Sequence, residues 1–493
     1  MRLVQTPQCQ LGERAIAAIK IDLRSRDDIP AVLRGLELLY THKPTRAKLF
    51  ELLDQVLIST ADKTVGRPGM ELWRIFVLAT LKQGLNCDFD RLQELANRHQ
   101  TIREMLGHSG WDDQTHYALQ TLIDNVSLLS PSVLAQLNQF IVEVGHEVVK
   151  KKPGDELRGR CDSFVVETDV HYPTDGNLLW DAMRTIIEVV GSACEANGIG
   201  GWRQYRYHQQ ALKRLLRKTQ KLRHSTSADP QKHAQQCQRI DQAYRTYLAK
   251  ATGLLDKAQA TLPSLVACGA VAAVAKIEHY AVHAERQLDQ IERRVLNGET
   301  IPHDEKVFSL FEPHTRWLSK GKAGVPVELG VAVCVVEDQH QFVLHHRILW
   351  DETDRDVAVV MVEQTQARFP DLTQCSFDRG FHSQANQQAL AALLAVAILP
   401  KTGRLSAADK ARESHDAFVQ GRCQHPAVES CINHLEHRGL DRCRATGKDG
   451  FERYVALSIV AANPHRLGLY DQAQEKARLA KLARRKPKPR LAA

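Results

Sequence analysis

Apolar positions recur at helical spacing along the first 150 residues. Leu72, Ile75, Phe76 and Ala79 share one face, and Leu92, Leu95 and Ala96 mark a second helix. Ser130-Pro131 opens another, with Leu134, Leu137 and Ile141 behind it; a serine cap and a proline in the first turn suit a helix start. Pro30 and Pro44 break residues 1–45 into short pieces. The pattern changes at Arg160–Glu167, whose apolar, β-branched run predicts a strand, followed by a polar loop over 168–176. From 177 to 304 it is helical again. One stripe holds Leu212, Leu215, Leu216 and Leu222, and another Ile240, Tyr244, Tyr247, Leu248, Ala251 and Leu255. A third holds Ile277, Tyr280, Ala281, Ala284, Leu288 and Ile291, and Asp229-Pro230 reads as a cap and helix start. Long antiparallel, coiled-coil-like helices are expected here.

Strand signals return at 327–336 and 342–350, joined by a turn at Glu337–His340. A helix is expected over 355–369, then a strand from Gln374 that stops at Asp378. A helix over 384–394 and a strand over 395–399 come next. A polar stretch, 401–424, leads to a helix opening at His425-Pro426 and carrying Glu429; an apolar segment, 454–463, should pack beneath it. The order is strand, helical insertion, strand, strand, helix, strand, helix, strand, helix. Without the insertion, it is that of an RNase H-like domain. The expected fold is therefore an α/β RNase H-like catalytic core, a mixed sheet flanked by helices. It carries an N-terminal helical domain and a long helical insertion between the first two core strands. The expected boundaries are 1–150 for the N-terminal, DNA-binding domain, 158–176 with 305–470 for the core, 177–304 for the insertion and 471–493 for a basic tail.

Composition narrows the class. The chain has 493 residues, 43% hydrophobic and 25% charged, enough for about three domains. No apolar run approaches a membrane span, and none follows Met1-Arg2 as a secretory signal requires, so a cytoplasmic protein is expected. The eleven scattered cysteines read as reduced thiols. Net charge is only +8, but the excess is clustered. Arg203, Arg206, Lys213, Arg214, Arg217, Lys218, Lys221 and Arg223 crowd 201–250, and Arg484, Arg485, Lys486, Lys488 and Arg490 the end of the chain. Such clusters suit a polyanion, most simply nucleic acid. Cys423, His425, Cys431, His434, His437 and Cys443 crowd one region, but their spacings match no zinc pattern.

Three acids carry the candidate chemistry. Asp162 lies on the first core strand, Asp378 ends the fourth and Glu429 sits on the last helix; in the expected fold they converge. Phosphodiester cleavage by two divalent ions needs few protein carboxylates, since magnesium keeps most of its water. Asp169, Asp175, Glu413 and Glu436 are rivals for these places.

Several blocks together resemble the DDE transposases of bacterial insertion sequences, in particular the ISNCY-like group. They are Asp162-Ser163 with Glu167-Thr168-Asp169-Val170-His171-Tyr172-Pro173-Thr174-Asp175, and Phe311-Glu312-Pro313-His314-Thr315-Arg316-Trp317. Lys320-Gly321-Lys322-Ala323-Gly324, Phe377-Asp378-Arg379-Gly380-Phe381 and His425-Pro426-Ala427-Val428-Glu429-Ser430 complete them. The resemblance runs from about residue 40 to 470. It implies Asp162, Asp378 and Glu429 as catalytic and metal-binding residues. It also implies two Mg2+ ions (Mn2+ as substitute), double-stranded DNA with terminal inverted repeats and target DNA as substrates, and a homodimer or higher multimer on DNA. Hydrolysis would free a 3′-OH that attacks target DNA. Related enzymes often carry an arginine four residues before the last acid and a lysine seven after it, where this chain has His425 and Glu436; Arg422, Arg438 and Arg442 are the alternative cations. Expected DNA contacts are Lys320, Lys322, Arg379, Arg438, Arg214, Arg217 and Lys218, with His382 supporting the site. The competing expectations are an RNase H-like nuclease or resolvase without strand transfer, and a non-catalytic DNA-binding protein derived from a transposase.

Overall fold

The computed structural model describes residues 3–6, 12–22, 25–55, 69–109, 113–152, 154–223, 229–319 and 327–485. The chain forms two compact units, one of residues 1–169 with 318–493 and the other of 170–317.

A mixed sheet of seven strands organises the first unit. They are β1 (Leu157–Thr168), β2 (Arg316–Ser319), β3 (Val327–Glu337), β4 (Val343–Leu349), β5 (Leu372–Phe377), β6 (Val396–Ile398) and β7 (Arg442–Cys443). The order is β2-β3-β1-β5-β6, with β4 also on β3 and β7 on β1. β1 pairs antiparallel with β3, and β3 antiparallel with β4. β5 runs parallel to β1, and β6 parallel to β5. The antiparallel β3–β4 pair turns at Asp338, whose Oδ1 accepts from the backbone N–H groups of His340 (2.8 Å) and Phe342 (2.9 Å). The parallel pairs need crossovers, supplied by the helices Asp354–Gln366 and Gln384–Leu393.

The two faces of β1 enter different cores. Leu157 and Cys161 join Cys375 and Phe377 in a core that also holds Leu36, Phe76, Leu137 and Val362. Phe164 and Val166 join Val331, Val333 and Val335 beneath the helix Ala427–Leu435 and the helix that starts at Lys448. The first 150 residues therefore do not stand apart as a separate domain; they share a continuous core with the sheet. The helix Leu72–Gly84 shows why. All but one of its residues are buried, Thr80, Lys82 and Gln83 included, so the one-sided stripe read from its sequence is part of a surface covered all round.

Buried polar bonds fix these helices to the sheet. Asn138 donates to the Val343 carbonyl (2.9 Å), and Asn463 donates to Asn138 (2.7 Å) while accepting from the Val343 N–H (3.0 Å). The helix Ile29–Thr41 lies backbone to backbone against the helix Lys448–Arg485. A Cβ on Gly35 would sit 2.0 Å from the Pro464 carbonyl oxygen, and one on Gly468 1.9 Å from that of Ala31. The segment expected over 454–463 is thus the middle of a 38-residue helix. The expected tail at 471 is helical as far as Arg485; residues 486–493 lie outside the described residues.

The second unit is helical, as expected, and starts at Val170 instead of 177. Its long helices are Asp175–Ala196, Tyr205–Arg223, Pro230–Ala267 and Val271–Ile291. Thr174 caps the first through the Asn177 N–H, and Asp229 caps the third through the Gln231 N–H. Their inner faces pack Leu179, Ile186, Trp202, Leu216, Tyr247, Leu255 and Ile277 into one core. Among the described residues, no helix of the protein is long and apolar enough to cross a membrane.

Candidate active site

Sheet register brings the two aspartates together. Cys161 pairs with Phe377 in the parallel β1–β5 ladder, so the next residues, Asp162 and Asp378, lie side by side at the carboxyl end of β5. Adjacent strands are about 4.8 Å apart. Side chains alternate along a strand, so Asp162 shares the face of Phe164 and Val166, opposite Cys161. Asp378 follows Phe377, which lies in the other core, and is directed to that same face. The helix Ala427–Leu435 covers it, packing Cys431, Ile432 and Leu435 inward, and Glu429 stands in its first turn. A hydrogen bond between Ser376 Oγ and His425 Nδ1 (3.0 Å) fixes the entry of this helix to β5.

A fourth acid joins the three. Asp354 is the first residue of the helix after β4, which Thr353 and Asp356 cap reciprocally. A side chain begun at Gly380 would start 3.5 Å from Asp354 Oδ2 and 3.9 Å from Asp378 Oδ2, so both carboxylates border the same space over the turn. The Ser163 hydroxyl bonds Asp354, opposing the burial that raises the Asp354 pKa. Asp354 was invisible as a site residue in the sequence, where it reads as one acid among Asp351, Glu352, Asp354 and Asp356 at a helix start.

The electrostatics follow from this crowding. Burial pushes the Asp162 carboxyl up to about 7, and the negative charges of Asp378, Glu429 and Asp354 act in the same direction. The Ser163 N–H, 2.8 Å from Asp162 Oδ1, opposes them. His425 is held below its ordinary value by burial, while Asp378 and Glu429 pull it the other way. Asp162 is half-buried; Asp378 and Glu429 are exposed, so the cluster opens to solvent.

These oxygen donors suit a hard divalent cation, which would offset the burial and, after it, the mutual repulsion that raise the Asp162 pKa. Among the described residues, no group of three or more His, Cys, Asp or Glu lies close enough to hold a metal ion, so the four acids interact without closing on one point. The same holds for the His- and Cys-rich stretch 423–443.

The rival acids lie elsewhere. Asp169 is exposed at 3.8 Å from Arg442, which also bonds Glu167 at 3.0 Å. Asp175 pairs with Arg294 (2.8 Å) in the helical unit. Glu413 pairs with Arg412 (3.1 Å) and accepts from the Lys401 N–H (2.8 Å). Glu436 opens the irregular turn that ends the Glu429 helix.

The expected DNA contacts divide. Arg379 is exposed beside Asp378, and Arg214, Arg217 and Lys218 are exposed on the helix Tyr205–Arg223. Arg438 is only 5% exposed, and its guanidinium donates to Asp28 (2.7 Å), the Gly84 carbonyl (2.5 Å) and His465 (3.0 Å). It is an internal tie between the ends of the first unit, with no surface cation to offer. Lys320 and Lys322 lie outside the described residues. His382 is half-buried, 3.4 Å from Gln387 Oε1.

Comparison with known protein families, curated proteins and solved structures finds no match to this chain.

Proposed function

We propose that this chain is a DDE transposase of the ISNCY-like kind, built on an RNase H-like core and acting on the ends of a bacterial insertion sequence. The observation that carries the reading is the β1–β5 register, which sets Asp162 beside Asp378 on the face covered by the Glu429 helix. The path β4-β3-β1-β5-β6 supports the core assignment: three antiparallel strands in chain order, then two parallel ones joined through helices. The helical unit interrupts the chain between β1 and the next strands, where the insertion was expected.

Asp162, Asp378 and Glu429 do not close on one point in this structure and would have to draw together to hold divalent magnesium; Asp354 borders the same space as Asp378. When bound, such ions neutralise charge on the scissile phosphate and acidify the attacking oxygen. The protein's own part is positional and electrostatic. The strand ends fix two carboxylates, and the Ser376–His425 bond fixes the helix that brings the third. Exposed Arg379, next to Asp378 in the chain, is the phosphate-binding cation at the cluster. In the first reaction water adds to phosphorus, the P–O3′ bond breaks and the 3′ oxygen takes a proton. In the second, that 3′-OH is the nucleophile on target DNA, and the target's own 3′ oxygen leaves. Joining two element ends to one target calls for a dimer or larger assembly, working at the nucleoid.

The test is a labelled duplex carrying the element's end, incubated with Mg2+ or Mn2+ and with wild type or Asp378→Asn. Nicking at the element boundary, joining to a second duplex, and loss of both in the variant are expected. Nicking that survives Asp378→Asn overturns the site assignment. Nicking without joining reduces the enzyme to a nuclease.

A further inference from the structure

The helical unit has a cleft of its own, about 710 Å3, between the helices Asp175–Ala196 and Tyr205–Arg223. His171, Arg184, Lys213 and Lys276 line it with four basic side chains against two acidic ones, Asp181 and Glu188. Asp181 is closed to a ligand's cation, whereas Glu188 is exposed. Asp181 is 4% exposed and receives His171 Nε2 at 2.5 Å and Arg184 Nε at 3.0 Å. Glu188 accepts from Gln209 at 2.9 Å. The second ring nitrogen of His171 meets the Tyr172 carbonyl at 3.2 Å, so both nitrogens are taken up inside the protein. The hydrogen bond to Asp181 raises the pKa of His171. Lys213 and Lys276 have no carboxylate partner among the described residues, and the Lys213 ammonium lies 5.7 Å from the Trp180 ring centre.

The positive lining continues outside the cleft. Lys213, Arg214, Arg217, Lys218 and Lys221 are all exposed on one helix. Residues 213–221 extend about 12 Å at 1.5 Å per residue, long enough to follow two or so successive phosphates of a strand. A small anion would need only the cleft; the extended strip suits a polymer of phosphates.

We propose that this cleft and the basic face beside it are a second DNA-binding site, which grips backbone phosphates through Lys213 and Lys276 against the indole of Trp180. Its residues are separate from the acids. It rests on the transposase reading only for the choice of DNA among polyanions.

The experiment uses the full chain carrying Asp378→Asn, so that DNA stays intact, with and without Lys213→Gln plus Lys276→Gln. Both lysines are exposed, and circular dichroism checks that the variant is folded. Duplex affinity is measured from 50 to 300 mM salt. The double variant should bind about tenfold more weakly, with a salt slope smaller by about 2, roughly one for each phosphate no longer neutralised. A fluorescence change on adding duplex should vanish in Trp180→Phe. Unchanged affinity and slope in the double variant overturn the proposal. So does quenching of Trp180 by inorganic triphosphate that duplex neither reproduces nor reverses, which would make the cleft a small-anion site. Cleavage is scored separately with Asp378 restored. A wild type that binds through the cleft but never nicks sinks the transposase reading and leaves this site standing. Normal nicking, with affinity untouched by the lysine changes, does the reverse.

Discussion

Ser376 Oγ and His425 Nδ1 meet at 3.0 Å, and this bond joins the strand that ends at Asp378 to the turn that opens the Glu429 helix. Ser376→Ala keeps the strand but releases that turn. The stability cost should be about 1 kcal/mol, the net worth of one buried hydrogen bond. The catalytic cost should be larger, about tenfold in kcat with KM for DNA unchanged, since orientation is lost and binding is not. Steady-state nicking beside a urea melt reads both. A melt that shifts while kcat stays fixed would make the bond purely structural.

Asp354 offers a second test. It borders the same space as Asp378 and contributes negative charge to Asp162. Asp354→Asn should lower Mg2+-dependent nicking about 10- to 100-fold, the range for groups that support metal ligands. The apparent Mg2+ requirement should rise with it. Full activity at unchanged Mg2+ would leave Asp354 as a helix-start acid alone.

Gly35 should tolerate no side chain. Its Cβ position is 2.0 Å from the Pro464 carbonyl, which is backbone and cannot rotate away. Gly35→Ala should therefore destabilise the first unit by about 3 kcal/mol or more, at or beyond the usual range for overpacking. Thermal denaturation is the measurement. A melting temperature equal to wild type would mean that the helices Ile29–Thr41 and Lys448–Arg485 do not meet backbone to backbone.

Glu337 should give stability a pH dependence. It is fully buried, and burial raises its pKa to about 7 from 4.5, although Arg160 Nε lies 2.8 Å away. A raised folded-state value stabilises while the carboxyl is neutral. The contribution is therefore complete below about 4.5 and disappears as pH rises through 7. Glu337→Gln removes that dependence, so its stability relative to wild type should improve from pH 5 to pH 8.5 by on the order of 2–3 kcal/mol. Urea melts at the two pH values test it; parallel losses in both proteins would show that Glu337 is ionised throughout.

Where structure followed from nearby residues, the chain was readable. Ser130-Pro131 and Asp229-Pro230 start helices because cap and proline act within one turn. The strand ending at Asp378 is a short, largely buried run, Leu372–Phe377, closed by a glycine turn. Features decided by distant partners were not readable. Arg438 looks like a surface cation on a polar turn, but its bonds to Asp28 and Gly84 span more than 350 positions. Asp354 matters because β4 delivers a helix start next to β5, which no local spacing records. The helices Ala407–Glu413 and Asp416–Gln424 were missed inside a polar stretch, since few of their residues are buried and caps at Ser406 and His415 define them. The helix from Lys448 runs through Pro464 and well past the apolar segment expected over 454–463.

The interlocking of the first and last helices also sets an order of assembly. The helical unit is one uninterrupted segment, 170–317, and can fold as soon as it leaves the ribosome. The sheet unit must wait. Its core draws on Leu36 and Phe76 at one end of the chain and on Val460 and Leu467 at the other. A chain broken off before that last helix already contains Asp162, Asp378 and Glu429 but lacks the packing that holds their strands and helix in place. Fragments that stop short of that helix would carry all the acids and none of the geometry.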